Sequence, residues 1–507
     1  MVKYAGGVLL PTLRAERNSE RPISLQLVSA IRELILSGVL KPGQRLPSSR
    51  TLANEQKVSR TTAVSVYDSL VAEGLIVSRV GAGSFVSEAL TIRATAPDLR
   101  PADEHRPKRQ STRVARLTSE ASERHFPRLA HPAHPRPFVT GLPAYDQFPM
   151  ARWAKLSAQQ WRAGRNPALG YPQPGGLMAL RQAIADHLRS NRGIICDPEE
   201  VFIVNGAQEA FNLVGSILLD PGDKVWFENP GAIGARNSLV SCGARLVPVP
   251  IDSEGLDVAA GLSAAPDFRL AFVTPSHQHP LGVVMSLERR FQLLKAAESA
   301  DAWIVEDDYD GEFYYSGYPP PTLKSVDRAG RVIYVGTFSK SLFPALRIAF
   351  MVVTRPLLEV FDRIAGATHQ GVPTHAQAIT ARFIEEGHFA SHIRRMRRLY
   401  AERQTVLIEE SGRLLGGAID VEATDSGFQT VGYLRVDLDE TALAVAAEQR
   451  AVIIAPLSRF AIGPIAVRGY ALGFSTSSPR EIREGLRALA AAIDETLRAS
   501  ARRQAAD

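Results

Sequence analysis

Lys340 closes the run Gly336-Thr337-Phe338-Ser339-Lys340, and its companions decide what its amine could do. A lysine by itself is nearly always a surface charge. Here Asp307 and Tyr309 follow the apolar run Trp303-Ile304-Val305-Glu306, and Arg347 lies a short way downstream of the lysine. Pyridoxal phosphate needs an amine to form a Schiff base and a carboxylate to keep its ring nitrogen protonated. It also needs a donor to its phenolic oxygen and a cup of donors for its phosphate. Lys340, Asp307 and Tyr309 are the residue types for the first three needs. Thr337, Ser339 and Arg347 suit the phosphate, the arginine as a planar charged fork. Gly206-Ala207-Gln208 follows the run Val201 to Val204 and precedes a helical pattern, so its backbone N–H groups suit the same dianion at a helix N-terminus.

A second set of candidate residues lies near the N-terminus. Leu27, Ala30, Ile31, Leu34 and Ile35 recur at helical spacing, and Gly38 ends that helix. Ser48 and Ser59 stand where the caps of a second and a third helix belong. The third helix has a stripe of Ala63, Val64, Tyr67, Leu70 and Val71, closed by Gly74. Leu75 to Val80 and Ser84 to Val86 read as two strands joined at Gly81-Ala82-Gly83, whose glycines permit a tight hairpin. Three helices and a hairpin make a winged helix-turn-helix. Arg60, Thr61, Thr62 and Ser65 are donors suited to a major groove at the start of the third helix. Arg45, Ser48, Ser49 and Arg50 suit phosphates, and Gly83 lets a wing tip approach the minor groove. Taken singly, these are caps, surface charges and turn residues. As an ordered run, PGQRLPSSRTLA…VSRTTAVSVYDSLVAEGLI…GAGSFV resembles the GntR-type DNA-binding domain along its whole length. That resemblance implies double-stranded DNA as a partner.

The elements that must hold these residues fall into three zones. At 507 residues the chain exceeds one compact core, which implies two to four domains. Residues 20–88 form the DNA-binding head. Residues 89–135 carry Pro97, Pro101, Pro107, Pro127, Pro132 and Pro135 among basic side chains such as Arg106, Lys108, Arg109, Arg113 and Arg116. Too few apolar groups occur there to offset chain entropy, so that zone is expected to be an extended, mobile, solvated tether. From 136 to about 500, the runs Val201 to Val204, Lys224 to Phe227, Leu270 to Val273, Trp303 to Glu306 and Val332 to Val335 alternate with helical segments. Continuous apolar runs between helices predict a parallel sheet covered on both faces, with ligands at the carboxyl edge of its strands. A large subdomain reaches to about 370 and a smaller one follows.

Composition narrows the function classes. A net charge of +6 permits a nucleic-acid partner without requiring one. The two cysteines, Cys196 and Cys242, have no CxxC or His/Cys cluster around them, which argues against a disulfide scaffold or a metal site. No apolar stretch approaches the roughly 18 residues of a membrane span, so a cytoplasmic protein is expected.

The region that holds Lys340, Asp307 and Tyr309 resembles the fold-type I aminotransferases from about Phe138 to the C-terminus, and its run TPSHQHPLGVVMSLERR…WIVEDDYDGEF…GRVIYVGTFSKSLFPALRIAF is specific to one regulator subfamily of that fold. Joined to the GntR-like head, it is similar to the MocR subfamily of regulators. The resemblance implies Lys340 as the Schiff-base lysine, Asp307 as the partner of the pyridine nitrogen, Tyr309 as the phenolate donor and Arg347 at the phosphate. It also implies that Tyr171, in Gly170-Tyr171-Pro172, reaches the phosphate of the other subunit in a head-to-tail homodimer; a plain loop aromatic is the competing reading. Two positions depart from the family pattern. Ala232, after Glu228-Asn229-Pro230-Gly231, replaces a stacking tyrosine, and His279 stands where an aromatic is common. Ile233 or His279 would then cover the ring, although His279 reads more readily as a packing residue. If the effector is an amino acid, its carboxylate needs an arginine, with Arg468 first and Arg459 second. The implied protein is a regulator that reports a small amine, an amino acid or pyridoxal phosphate itself to an operator with two half-sites. The alternatives are an aminotransferase with an appended DNA-binding head, and a sensor that has lost its cofactor.

Overall fold

The structure is a computed structural model that describes residues 16, 19, 21–79, 82–89, 115–124, 135–162, 170–315, 319–369 and 371–504. The chain divides into two compact units, residues 1–113 and 114–507.

In the first unit, helices α1 (Ile23–Leu36), α2 (Ser49–Glu55) and α3 (Arg60–Ala72) precede strands β1 (Ile76–Arg79) and β2 (Gly83–Val86). The strands are antiparallel, with Ile76 opposite Val86. Both expected caps form. Ser48 Oγ accepts from the Thr51 N–H at 3.1 Å, and Ser59 Oγ accepts from the Thr62 N–H at 3.0 Å. The Tyr67 hydroxyl donates to the Pro47 carbonyl at 2.7 Å and ties α3 to the entry of α2. One detail of the α3 stripe needs correction. Val64 and Val71 are each 40% exposed, and Val66 is buried in their place. Ala63, Val66, Tyr67 and Leu70 follow the 3.6-residue period, which leaves 64 and 71 on the flank. Val80 and Gly81 lie outside the described residues.

The tether reading of 89–135 also needs correction, because a helix spans Arg116–Arg124. It belongs to the second unit. Its Leu117 lies against Gly243, where a Cβ would meet Leu117 Cδ1 at 3.3 Å, just past the helix Ile233–Ser241. Leu117, Glu120, Ala121 and Glu123 are good helix formers, and one leucine finds a surface to rest on. The rest of that zone, apart from residues 89, 115 and 135, lies outside the described residues.

The second unit is built on an eight-stranded sheet. Its strands are β3 (Val201–Val204), β4 (Lys224–Asn229), β5 (Arg245–Asp252), β6 (Gly255–Leu256), β7 (Leu270–Val273), β8 (Trp303–Asp308), β9 (Val332–Thr337) and β10 (Ala349–Val352), in the order β3-β10-β9-β8-β7-β4-β5-β6. β5, β4, β7, β8 and β9 are mutually parallel, and the runs read from the sequence in β4, β7, β8 and β9 are buried as expected, whereas β5 is largely exposed and was not anticipated. The sheet is mixed, however, because β10 runs antiparallel to both β9 and β3. The segment joining β9 to β10 holds only two short helical turns, Phe338–Ser341 and Pro344–Leu346, which is too little for a parallel crossover. The apolar faces pack against helices on both sides, among them Ala207–Leu218 on one and Leu287–Ser299 on the other.

A second sheet, wholly antiparallel, follows in the C-terminal part. It comprises β11 (Ile419–Val421), β12 (Gln429–Leu434), β13 (Ala455–Pro456) and β14 (Gly469–Gly473), in the order β11-β12-β14-β13. Among the described residues no helix is long and apolar enough to cross a membrane, and no cluster of His, Cys, Asp and Glu could hold a metal ion.

Candidate cofactor and effector site

A cavity of about 390 Å³ lies at the carboxyl ends of the central strands. Parallel strands β8 and β9 set its chemistry, since Asp307 on β8 sits opposite Val335 on β9 and Lys340 follows β9 directly. The Lys340 Nζ donates to the Gly141 carbonyl at 2.5 Å. Thr337 caps the short helix that carries the lysine, its Oγ1 accepting from the Ser339 N–H at 3.1 Å. Lys340, Asp307, Tyr309, Thr337, Ser339, Arg347, Ala207, Gln208 and His279 all line the one cavity.

Asp307 is 7% exposed, and its Oδ1 is buried without a hydrogen-bond partner. Burial, reinforced by Asp308, Asp310 and Glu228, holds this carboxyl well above the usual carboxylate range, against the pull of Lys340. A bare, buried carboxyl oxygen is costly unless a donor meets it, and a protonated ring nitrogen is the donor that would satisfy it. Tyr309 is held by His277, whose Nδ1 lies 3.0 Å from the phenol oxygen and 2.7 Å from Asp310 Oδ2. Burial, with Asp310 and Asp307 nearby, keeps the phenol protonated and able to donate. His277 and Asp310 were missed in the sequence. They flank the informative motifs, and only packing joins them.

Gly206 caps the helix Ala207–Leu218 with φ 85°. Arg347, itself at φ 55°, donates from Nη2 to the Asn205 carbonyl at 2.7 Å. A Cβ on Gly206 would lie 2.7 Å from that nitrogen, so the glycine leaves room for the guanidinium beside a helix N-terminus. Amine, buried carboxyl, phenol donor and cationic helix end are the features pyridoxal phosphate requires, and they occur in one cavity.

The two departures from the family pattern also fall here. Ala232 and Ile233 line the cavity, and so does His279, which makes edge contacts with Tyr309 at 5.6 Å and Phe460 at 5.1 Å. Its Nδ1 accepts from Gln429 Nε2 at 2.9 Å. Burial, aided by Lys340 and His277, pushes the imidazole down to about 3, so it is neutral. His279 is thus both packed and cavity-facing.

The expected carboxylate arginine is corrected. Arg468 does not line the cavity; it pairs with Asp437 at 3.1 Å and with the Leu438 carbonyl. It precedes β14 and turns toward the loop before the helix Glu440–Gln449. Arg459 lies in the turn Leu457–Phe460, where its neighbour Phe460, not Arg459, reaches the lining. Tyr171 is 89% exposed and does not line its own chain's cavity.

In the head, Arg45, Arg50, Arg60, Thr61, Ser65 and Gly83 are exposed. The Arg45 guanidinium lies over Gly83, within 3.4 Å of where a Cβ would stand, so these two form one edge of the wing. The Ser48 and Ser59 hydroxyls are taken up by their caps and by Thr51 and Thr62, while Ser49 is half-buried.

Residues 23–86 match the family of bacterial regulatory proteins, gntR family, and residues 138–489 match aminotransferase class I and II. The chain is 40% identical over 488 residues to the probable rhizopine catabolism regulatory protein MocR of Rhizobium meliloti, covering 94% of this chain and 95% of that one. The chain belongs to the MocR family of GntR-type regulators. Another member, the HTH-type transcriptional regulator TauR of Rhodobacter capsulatus, is 34% identical, covering 92% of this chain and 96% of its own. Among solved structures, LysN of Thermus thermophilus, an alpha-aminoadipate aminotransferase complexed with N-(5'-phosphopyridoxyl)-L-leucine, aligns with a TM-score of 0.66 at 29% identity. That match covers 71% of this chain and 92% of LysN. This MocR protein is therefore a DNA-binding transcriptional regulator whose larger unit has the fold of a pyridoxal-phosphate aminotransferase.

Proposed function

We propose that this MocR protein holds pyridoxal phosphate on Lys340 and changes its grip on DNA when a small amine, an amino acid or the vitamer itself enters the cavity. Asp307 would accept from the ring nitrogen and Tyr309 would donate to the phenolic oxygen. Thr337, Ser339, Arg347 and the backbone of Gly206, Ala207 and Gln208 would hold the phosphate. His279 and Ile233 supply walls where Ala232 offers no aromatic face. When bound, the cofactor supplies an aldehyde carbon that exchanges one primary amine for another without oxidation. The reading extends to a head-to-tail homodimer in which exposed Tyr171 serves the cavity of a second copy, and whose two heads meet two half-sites. Arg45 and Arg50, with backbone N–H groups at the Ser48-Ser49 and Ser59 helix starts, would set its register on phosphates, while Arg60, Thr61, Thr62 and Ser65 read bases and Gly83 nears the minor groove. Only an effector that binds two sensor conformations unequally can move the DNA equilibrium.

The observation that carries this reading is the unpartnered Asp307 Oδ1 in the cavity that also holds Lys340. Lys340→Ala should abolish the visible absorbance of protein supplied with pyridoxal phosphate while leaving a cooperative melt. An unchanged spectrum would refute the assignment. Because Lys340, Asp307 and Tyr309 are all present, an aminotransferase with a DNA-binding head is the competing reading. Sustained turnover between an amino acid and a keto acid would establish it.

A further inference from the structure

We infer that the amine taken by this cavity carries hydroxyl groups and no carboxylate, and that Gln429 is the residue that reads a hydroxyl. The inference rests on the amine-binding reading above and narrows it to a ligand class.

Gln429 opens β12, so the small sheet delivers it into the cavity of the large one. Its side chain is only 1% exposed, and Nε2 is spent on His279 Nδ1. Its Oε1 is buried with no partner. An amide held at one end and bare at the other is a fixed acceptor, and a ligand hydroxyl is the neutral donor that completes it. With Nδ1 accepting, the His279 proton sits on Nε2, so the pair offers hydrogen bonds and no net charge.

The surrounding wall is apolar. Ile233 and Phe460 line it, and Ala455 and Ala471 pack behind them. Among the described lining residues the cations are Lys340 and Arg347. Arg347 is engaged at the Asn205 carbonyl beside Gly206, and Lys340 is the amine that the cofactor needs. A carboxylate at the Gln429 end would therefore exchange water for a bare acceptor oxygen, a neutral imidazole and an aromatic edge. Desolvation without a counter-charge disfavours it. Of the two arginines expected to supply that charge, Arg468 is bound to Asp437 elsewhere and Arg459 is not among the lining residues.

The test uses the full chain loaded with pyridoxal phosphate and four small amines of matched skeleton. These are 2-amino-1,3-propanediol, L-serine, D-serine and isopropylamine. Affinities are read by calorimetry and by the shift of the cofactor's visible band. The diol should bind more tightly than isopropylamine by on the order of tenfold, since a site built for a hydroxyl rejects the ligand that lacks one. It should also outrank both serines. Gln429→Met, of similar length and without the acceptor, should erase the preference for the diol over isopropylamine. The ranking in the unaltered protein decides the matter even if that variant fails to fold. Either serine equalling the diol, or isopropylamine equalling it, overturns this inference alone. A loaded protein that responds to none of the four overturns this inference as well, whereas the parent reading falls only if Lys340→Ala leaves the cofactor's visible band unchanged.

Discussion

Arg347 and Gly206 are locked together although they come from distant parts of the chain. The Arg347 Nη2 reaches the Asn205 carbonyl, and a Cβ on Gly206 would stand 2.7 Å from that same nitrogen. Gly206 also has φ 85°, a conformation L side chains rarely adopt. Gly206→Ala should therefore act twice, straining the turn and displacing the guanidinium from the helix N-terminus. The expected loss of cofactor affinity is about tenfold or more, roughly 1.4 kcal/mol. Titrating pyridoxal phosphate by absorbance measures it, and an unchanged dissociation constant would remove Arg347 from the phosphate site.

Asp307→Asn should have opposite effects with and without the cofactor. Burial and the neighbouring carboxylates raise the native carboxyl far above its unfolded value. The native stability it contributes is full below the unfolded value and is lost as pH rises through the folded one. Without cofactor at pH 8, the asparagine variant should thus melt higher than the parent protein. With pyridoxal phosphate the order should reverse, because a neutral amide holds a charged ring nitrogen less well, by about 1.5–3 kcal/mol. A variant that gains as much stability from the cofactor as the parent does would exclude Asp307 as the nitrogen's partner.

These two sites show which relationships a sequence discloses. Val201–Val204 and Leu270–Val273 were legible as strands because each is a buried apolar run between turn residues. Asp307 and Tyr309 were legible because they close one such run, and Lys340 because it follows another in a short helix, on the same edge of the sheet. The antiparallel direction of β10 was hidden, since Ala349–Val352 has the same apolar texture as its parallel neighbours. The Gln429–His279 contact spans 150 residues and depends on how the two sheets meet. Arg468 misled because its place beside a strand is local information, whereas the direction of its side chain is set by Asp437.

The head permits stability and recognition to be separated. Ser59 Oγ satisfies the Thr62 N–H at the start of α3, so Ser59→Ala should destabilise the head by about 1 kcal/mol. Arg60 is exposed one residue further on. Arg60→Ala should leave the melt unchanged and weaken operator binding by about 1–3 kcal/mol. Arg45→Ala, at the wing edge, should reduce the slope of log affinity against log salt by about one. Equal effects of all three variants on melting and binding would argue against a docking face built from these residues.

His279 gives the pH dependence a definite sign. Burial, with Lys340 and His277 beside it, lowers the native imidazole from its ordinary value near 6.5 to about 3. Above pH 6.5 neither state binds the proton, and the full contribution of the neutral ring to stability is present. Between pH 6.5 and 3 the unfolded chain takes up a proton that the native one refuses, so stability falls as pH falls. His279→Asn keeps an acceptor for Gln429 and removes the titration. Its melting temperature should drop less than the parent's between pH 7 and pH 5 at equal cofactor loading. His392, lowered to about 4 by its own burial, acts in both proteins and cancels in the comparison. Parallel curves for parent and variant would mean that His279 is protonated in the native state, and the neutral wall beside Gln429 would then carry a charge.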